Sequence, residues 1–435
     1  MTEKIIIKRN SYKVSFYNII VHKEKEFVYI WNTRSNSIVK LESLLYKHII
    51  NKEYNEPLFM NNVEGLLSQG IIVDNNLNEF NELLYKQKEF QTIGNKEVLS
   101  LTIAPTMECN YKCTYCFEEN KPKGRMSDET IEYIVKFVQK YFTEHGVKKL
   151  IIHWFGGEPL ISYNIIESLS EKLINLCKIN KVEYIAHIVT NGFYLTSEKI
   201  DCLINKYHVK SFQISFEGNK QIYCKYKNTT PQAYDCVKSN LFELLNKKSK
   251  NVRVNIRINI DKSNIENIEA FINELKNDKR FISENVVFSF GRIFGNCKEC
   301  FSFFEFEEIK EKYNYLNNRE TFLPESKLTY CMQYLNNSFC VDYKGNLFKC
   351  EHDFGKEDRI VGNILNGLYY NDFFMNFMNR KVPEKCKLCR LYPICLGGCP
   401  NDSLNKKAID CEYNEEQLIK KIKKYIKKER SNGDN

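Results

Sequence analysis

No run of eighteen apolar residues occurs anywhere in the 435-residue chain, and a membrane-spanning helix needs about twenty. Residues 1–10 lack an apolar stretch ahead of a small-residue cleavage site. The reading is therefore a chain that nothing exports, resident in the cytoplasm. Charge points no more sharply. Sixty-four basic residues against 55 acidic leave +9, modest for this length, and much of it lies in one C-terminal run. An anionic small molecule, a peptide and a nucleic acid all fit such a balance. With 43% hydrophobic and 27% charged residues, the chain can build real cores and is not disordered. Its length allows two or three domains. Cysteine is what it has in excess. Seventeen thiols without an export signal argue against a disulfide framework and for metal ligation or redox chemistry.

Residues 1–92 read as a small module. Tyr12 to Val21, Glu26 to Trp31 and Ser37 to Leu41 are β-branched or aromatic runs expected to form strands. Glu42 to Ile50 and Asn61 to Ser68 are expected helices, with Gly70 as a stop and Ile71 to Val73 as a closing strand. This makes a winged-helix-like unit, and the polar stretch Asn81 to Gln91 is read as a linker. From Glu97 the pattern becomes strand and helix in alternation. Strands are expected at Val98–Ala104, Lys149–Trp154, Glu183–Thr190, Val209–Phe216, Val252–Ile260 and Val286–Phe290. The first helix carries Ile131, Ile134, Val135, Val138 and Phe142 at helical spacing, with Ser127 as N-cap and Gly146 past its end. Six such repeats imply a parallel sheet with outer helices, either doubly wound or an incomplete barrel, with its site at the strand C-termini. Periodicity is lost from Cys331 to Cys411, and a final helix carries Leu418, Ile419, Ile422, Tyr425 and Ile426 on one face.

Cys109, Cys113 and Cys116 form C-x3-C-x2-C directly after the first of these strands. Three thiolates from one loop can hold a [4Fe–4S] cube and leave one iron open; a zinc site lacking its fourth ligand is the alternative. The run Cys109-Asn110-Tyr111-Lys112-Cys113-Thr114-Tyr115-Cys116 resembles the cluster motif of the radical S-adenosylmethionine (radical SAM) enzymes. Phe155-Gly156-Gly157-Glu158-Pro159 matches their GGEP motif, where two glycines let backbone approach a ligand and a carboxylate can receive the methionyl amine. Thr190-Asn191-Gly192 and Ser215-Phe216-Glu217-Gly218 match at later strand ends. The resemblance implies that Tyr115, Gly156, Gly157, Glu158, Pro159, Thr190, Asn191, Ser215 and Glu217 bind S-adenosylmethionine, with Tyr115 near the adenine. The chain departs from the family at Tyr223 and Lys227, where relatives often carry His and Arg. A lysine supplies charge without a bidentate fork, so the carboxylate-binding role is not carried over to it.

A second group follows: Cys331, Gly345 and Cys350, then Cys386, Cys389, Cys395 and Cys399, then Cys411. It resembles the SPASM extension of the same family. That resemblance implies one auxiliary [4Fe–4S] cluster on Cys386, Cys389, Cys395 and Cys411. A second would lie on Cys331, Cys350 and Cys399, its fourth ligand unassigned, giving three clusters in all. Zinc ribbons use similar CxxC pairs. Cys340 reads as a buried strand thiol, and Cys297 and Cys300 as bystanders.

The fold expected is thus α/β: a partial (β/α)6 radical SAM barrel over 97–300, the winged-helix-like module over 1–92, a Cys-rich SPASM domain over 320–415 and a basic helix and tail over 416–435. The resemblance implies an oxidoreductase that generates a 5′-deoxyadenosyl radical. The domain combination is similar to that of maturases of ribosomally made (RiPP) peptides. There the module binds the leader of a precursor by strand addition, and the product is a carbon–carbon or thioether crosslink. A reductant such as flavodoxin or ferredoxin is implied. Glu351, His352 and Asp353 are candidates for acid or base, or for hydrogen bonds around a cluster. An anaerobic sulfatase-type maturase forming formylglycine is the second reading. An iron–sulfur or zinc sensor binding nucleic acid is the third; against it, Ser43 to Gln69 carries only Lys47 and Lys52 for phosphate contacts. Lys420 to Arg430 reads as a solvated face rather than a membrane contact.

Overall fold

In the computed structural model, residues 11–433 are described except 95, 118–121, 294–298, 314–324, 405–410 and 412. The chain divides into two compact units, one comprising 93–320 and 332–379, the other 1–92, 321–331 and 380–435. Residues 320–415, read as one Cys-rich domain, are shared between them.

The smaller unit opens with β1 (Tyr12–Val14), β2 (Asn18–Lys23), β3 (Phe27–Asn32) and β4 (Ser37–Glu42). Helices α1 (Ser43–Ile50) and α2 (Pro57–Ser68) follow, then β5 (Ile72–Asp74) and α3 (Glu79–Glu89). β2, β3 and β4 form an antiparallel sheet, and β1 pairs with β5. Successive residues of β3 point to opposite faces, and here both faces are covered. Val28 and Ile30 pack with Leu45, Ile49, Phe59, Val63 and Leu66 of α1 and α2. Tyr29 and Trp31 pack on Leu391 and Ile394 and on Leu418 and Ile422 of the C-terminal helix Glu415–Gly433. That two-sided burial is why β3 reads as an unbroken apolar run.

The stretch read as a linker is instead α3. Asn78 caps it by accepting from the Asn81 amide. Leu83 buries against Tyr17, Cys386, Tyr392 and Leu396. Phe80 and Leu84 pack half-buried on the same cluster, a stripe of three at i, i+3 and i+4 that is too short to stand out in a helix whose remaining face is polar.

The larger unit is a parallel sheet of β6 (Val98–Ile103), β7 (Lys149–Trp154), β8 (Glu183–Thr190), β9 (Val209–Ser215), β10 (Arg253–Ile260) and β11 (Val286–Arg292). Their spatial order is their sequence order. A doubly wound sheet would reverse direction at a switch point; this one does not, and the winding is that of an incomplete barrel. Crossovers include α4 (Asp128–His145), α5 (Tyr163–Asn180), α6 (Ser197–Asp201), α7 (Lys220–Lys227), α8 (Pro231–Lys247) and α9 (Ile268–Lys276). Ser127 caps α4 through the Thr130 amide, and Gly146 closes it at φ +60°, as read from the sequence. β12 (Ser338–Val341) pairs parallel to β6, and β13 (Asn346–Phe348), β14 (Gly362–Asn363) and β15 (Gly367–Leu368) extend that edge antiparallel. No described helix is long and apolar enough to cross a membrane.

Candidate active site

The sheet's two faces differ in chemistry. Val254, Ile256, Ile258 and Ile260 of β10 are fully buried, while Asn255, Arg257 and Asn259 alternate with them on the other face. The register sets Ser215 of β9 beside Arg257, and Arg257 beside Ser289 of β11. His153 and His187 sit side by side on β7 and β8, ring centroids 5.0 Å apart. Burial pushes the His153 imidazole down to about 4 and lowers His187 as well, so both rings are neutral at pH 7.

The three-thiol loop leaves β6 and is held by backbone bonds to its surroundings. Met107 N donates to Gly124 O at 3.0 Å, Thr114 N to Tyr226 O at 2.9 Å, and Gly157 N to Thr106 O at 3.2 Å. Cys109, Cys113 and Cys116 lie within electrostatic reach of one another, and burial pushes the Cys109 thiol up to about 12. The Tyr111 amide donates to Cys109 Sγ at 3.4 Å, and the Asn191 side chain approaches the same sulfur at 3.9 Å. Among the described residues no three Cys, His, Asp or Glu side chains stand close enough to hold a metal ion as they lie; what fits a cluster is the chemistry of the donors, three thiols on one loop with N–H donors beside Cys109.

The GGEP segment serves the chain's own backbone. A Cβ at Gly156, whose φ is +120°, would lie 2.3 Å from Thr106 O, and one at Gly157 would lie 2.4 Å from Glu108 O. The glycines let the end of β7 lie against the start of the cysteine loop. Pro159 begins the short turn Pro159–Ser162. Glu158 is fully buried. Its Oε1 accepts from Leu160 N (3.0 Å) and Thr190 Oγ1 (2.7 Å), and its Oε2 from Asn191 N (2.7 Å). Burial raises its pKa while these donors oppose the shift. The carboxylate thus ties the end of β8 to that of β7. Gly156→Ala combines strained backbone with overlap onto a carbonyl, so a loss of about 3 kcal/mol is expected. A thermal melt that does not move would contradict this account.

Glu217 behaves differently. It is fully buried and follows β9. Its Oε1 accepts from Tyr115 OH and from Asn259 Nδ2 at 2.9 Å, and lies 3.3 Å from Lys227 Nζ. Its Oε2 has no hydrogen-bond partner. Lys227 also donates to Ser215 Oγ at 2.6 Å. Burial works against the Lys227 charge, but Glu217 foremost outweighs it and the pKa rises well above the usual lysine value. Tyr115, Ser215 and Glu217 are therefore one network, to which the structure adds Lys227 and Asn259. The polar–apolar alternation of β10 was the signal for Asn259, since a parallel strand covered on both faces would read as continuously apolar.

Glu351, His352 and Asp353 form a short helical turn. The His352 ring stacks on Phe117 at 4.1 Å, and fully buried Asp353 pairs with Lys356 at 2.9 Å. Cys340 is fully buried in β12 among Ala104, Met107, Phe348 and Phe354. In the smaller unit, Cys386 lies within electrostatic reach of Cys389 and Cys411, and Cys399 within reach of Cys331. Gly397 N donates to Cys395 Sγ at 3.3 Å. Cys350 belongs to the larger unit. Cys297 lies outside the described residues.

A sheet wound in sequence order, with a three-thiol loop after its first strand, is the setting of radical SAM chemistry. Residues 103–275 match the Radical SAM superfamily, and the chain carries a radical SAM domain. It is 29% identical over 199 residues to the radical SAM cyclopropyl synthase TigE of Paramaledivibacter caminithermalis, a match spanning 40% of this chain and 41% of that protein. The alignment thus covers less than two thirds of that relative. A cysteine-type anaerobic sulfatase-maturating enzyme of Clostridium novyi is 25% identical over 367 residues, spanning 69% of this chain and 87% of that enzyme. Among solved structures, Streptococcus suis SuiB bound to precursor peptide SuiA shares the fold at TM-score 0.53 and 17% identity, covering 93% of this chain and 99% of that one.

Proposed function

We infer that this protein is a radical SAM peptide maturase that installs a carbon–carbon or thioether crosslink between side chains of a ribosomally made precursor. The observation that carries the reading is the sheet β2–β3–β4, whose β4 edge pairs with no other described strand, joined in one chain to a radical SAM domain. An open edge is what leader capture by strand addition requires. The extent of the SuiB likeness supports it: that fold spans 93% of this chain, whereas the solved anSMEcpe fold, matched over 98% of its own length, spans 77%.

A [4Fe–4S] cluster and S-adenosylmethionine supply, when bound, a 5′-deoxyadenosyl radical able to take hydrogen from an unactivated C–H bond. The chain's residues hold and orient. Cys109, Cys113 and Cys116 would ligate the cluster. Tyr115, Ser215 and Glu217 would face the cofactor, with the open Glu217 oxygen as a hydrogen-bond acceptor for its hydroxyls. Gly156, Gly157, Glu158, Pro159, Thr190 and Asn191 would fix the loop ends beneath it. Cys386, Cys389, Cys395 and Cys411 would hold an auxiliary cluster that accepts the electron released when the substrate radical becomes a bond. A flavodoxin or ferredoxin would supply reducing electrons.

The test separates radical generation from product formation. Cys389→Ala should leave reductive cleavage of S-adenosylmethionine measurable while lowering crosslinked product at least tenfold. Cys389 packs beside Ile19, Trp31 and Leu391, so circular dichroism of the variant must match the parent. Undiminished product would refute the auxiliary role. The sulfatase-type reading, favoured by the 87% coverage of that enzyme, predicts oxidation of a cysteine peptide to formylglycine with no leader present.

A further inference from the structure

Most ionic groups around the candidate cofactor network are paired. Lys227 and Glu217 compensate each other at 3.3 Å. Arg257 does not share in this. On the polar face of β10, its Nη1 donates to the Phe290 carbonyl at 2.8 Å. Among the described residues no carboxylate lies within ion-pair distance of its guanidinium, and Nε and Nη2 have no hydrogen-bond acceptor. Burial lowers the Arg257 pKa, Tyr115 and Glu217 opposing the shift from farther off. A half-buried guanidinium whose hydrogen bond goes to one neutral carbonyl keeps donors for an anionic ligand.

The fork is also seated. A Cβ at Gly291 of β11 would lie 2.4 Å from Asn259 Oδ1, 2.5 Å from Arg257 Nη2 and 2.6 Å from Nε, so the glycine leaves the space that the guanidinium and the Asn259 amide share on the neighbouring strand. Beside it in register, the Ser289 hydroxyl is buried without a partner, as are Asn255 Oδ1 and His187 Nδ1 on the same polar face. A planar fork with free donors and an adjacent unbonded hydroxyl suits a carboxylate.

We propose that Arg257, seated on Gly291 and flanked by Ser289, is the anchor for a carboxylate entering the barrel, which would make an acid-bearing peptide segment the preferred substrate class. The carrier of the acid rests on the peptide-maturase reading. A carboxylate could also come from the methionyl end of the cofactor, and the test distinguishes the two.

Binding is read without turnover, so that an incorrect precursor or reaction does not register as failure of the anchor. The reconstituted holoenzyme, saturated with S-adenosylmethionine, is dialysed anaerobically against N-acetylglutamate N-methylamide or its glutamine counterpart. The parent should bind the acid at least tenfold more tightly than the amide. Arg257→Gln should bring the two within twofold while cofactor affinity and iron content hold, and Arg257→Lys should keep part of the preference. A tenfold loss of cofactor affinity in Arg257→Gln, with no acid preference in the parent, would assign the anchor to the cofactor's carboxylate. If Arg257→Gln loses iron, Ser289→Ala, which removes the flanking hydroxyl and keeps the charge, should lower the same preference at least threefold. Neither affinity moving beyond twofold in a variant that retains its iron would overturn the proposal.

Discussion

Replacing Cys109, Cys113 and Cys116 together by alanine is expected to remove about four of about twelve irons after anaerobic reconstitution and all reductive cleavage of S-adenosylmethionine. The expectation is sharp because backbone bonds anchor the loop in addition to the donors on Cys109. The backbone bonds from Met107, Thr114 and Gly157 persist in the variant, and the substitution removes sulfur from partly exposed positions rather than from the apolar core. The polypeptide should therefore remain folded, with circular dichroism unchanged. Loss of the cluster then reads as loss of ligands. Cys109, whose thiol burial pushes up to about 12, becomes a thiolate only when a metal compensates its charge, so a single Cys109→Ala should already weaken iron retention. Tightly bound zinc and no iron in the parent protein would refute the radical reading. Unchanged iron in the triple variant would move the cluster elsewhere.

The barrel was legible to within a residue or two, because β7 and β8 begin and end where hydrophobic alternation does. The capped helix α4 was readable for a related reason: Ser127 and Gly146 each satisfy a local requirement of backbone geometry. Long-range dependence left no such mark. α3 looked like a linker since its short apolar stripe, Phe80, Leu83 and Leu84, packs on residues distant in sequence, Tyr17, Cys386, Tyr392 and Leu396. The candidate site divides the same way. That a three-cysteine loop follows the first barrel strand could be read from spacing and strand pattern. The closed hydrogen bonding of Glu158 and the open oxygen of Glu217 could not, because both are carboxylates at strand ends and only tertiary neighbours tell them apart. Lys227 looked like a weakened substitute for arginine until its burial against Glu217 and Ser215 showed a lysine reaching two oxygens at once.

Leader capture calls for a different experiment from the one the sequence suggests. Deleting residues 1–92 would strip Tyr29 and Trp31 from Leu391, Ile394, Leu418 and Ile422, and Tyr17 and Leu83 from Cys386 and Tyr392. Such a truncation exposes apolar surface beside the auxiliary cysteines and is expected to cost that cluster as well as the leader. A single backbone change at the free edge avoids this. Ser43 N donates to Glu26 O at 2.8 Å, which marks that pair as hydrogen-bonded. Alternation along the antiparallel ladder then directs the Ile38, Lys40 and Glu42 amides away from β3. Lys40 is exposed, its ammonium over the Phe27 ring at 3.8 Å. Lys40→Pro removes one outward amide and obstructs the strand beside it without breaking a bond to β3, a substitution edge strands tolerate. Leader affinity in the parent should be micromolar or tighter, about −8 kcal/mol, and nearly independent of salt. The proline variant should bind about a hundredfold more weakly, while Lys40→Ala, which keeps the amide, stays within about threefold of the parent. Iron content and S-adenosylmethionine cleavage should be the same in all three. Parent-like leader binding by Lys40→Pro would exclude strand addition at β4, and affinity falling by orders of magnitude between low and physiological salt would point instead to a nucleic acid.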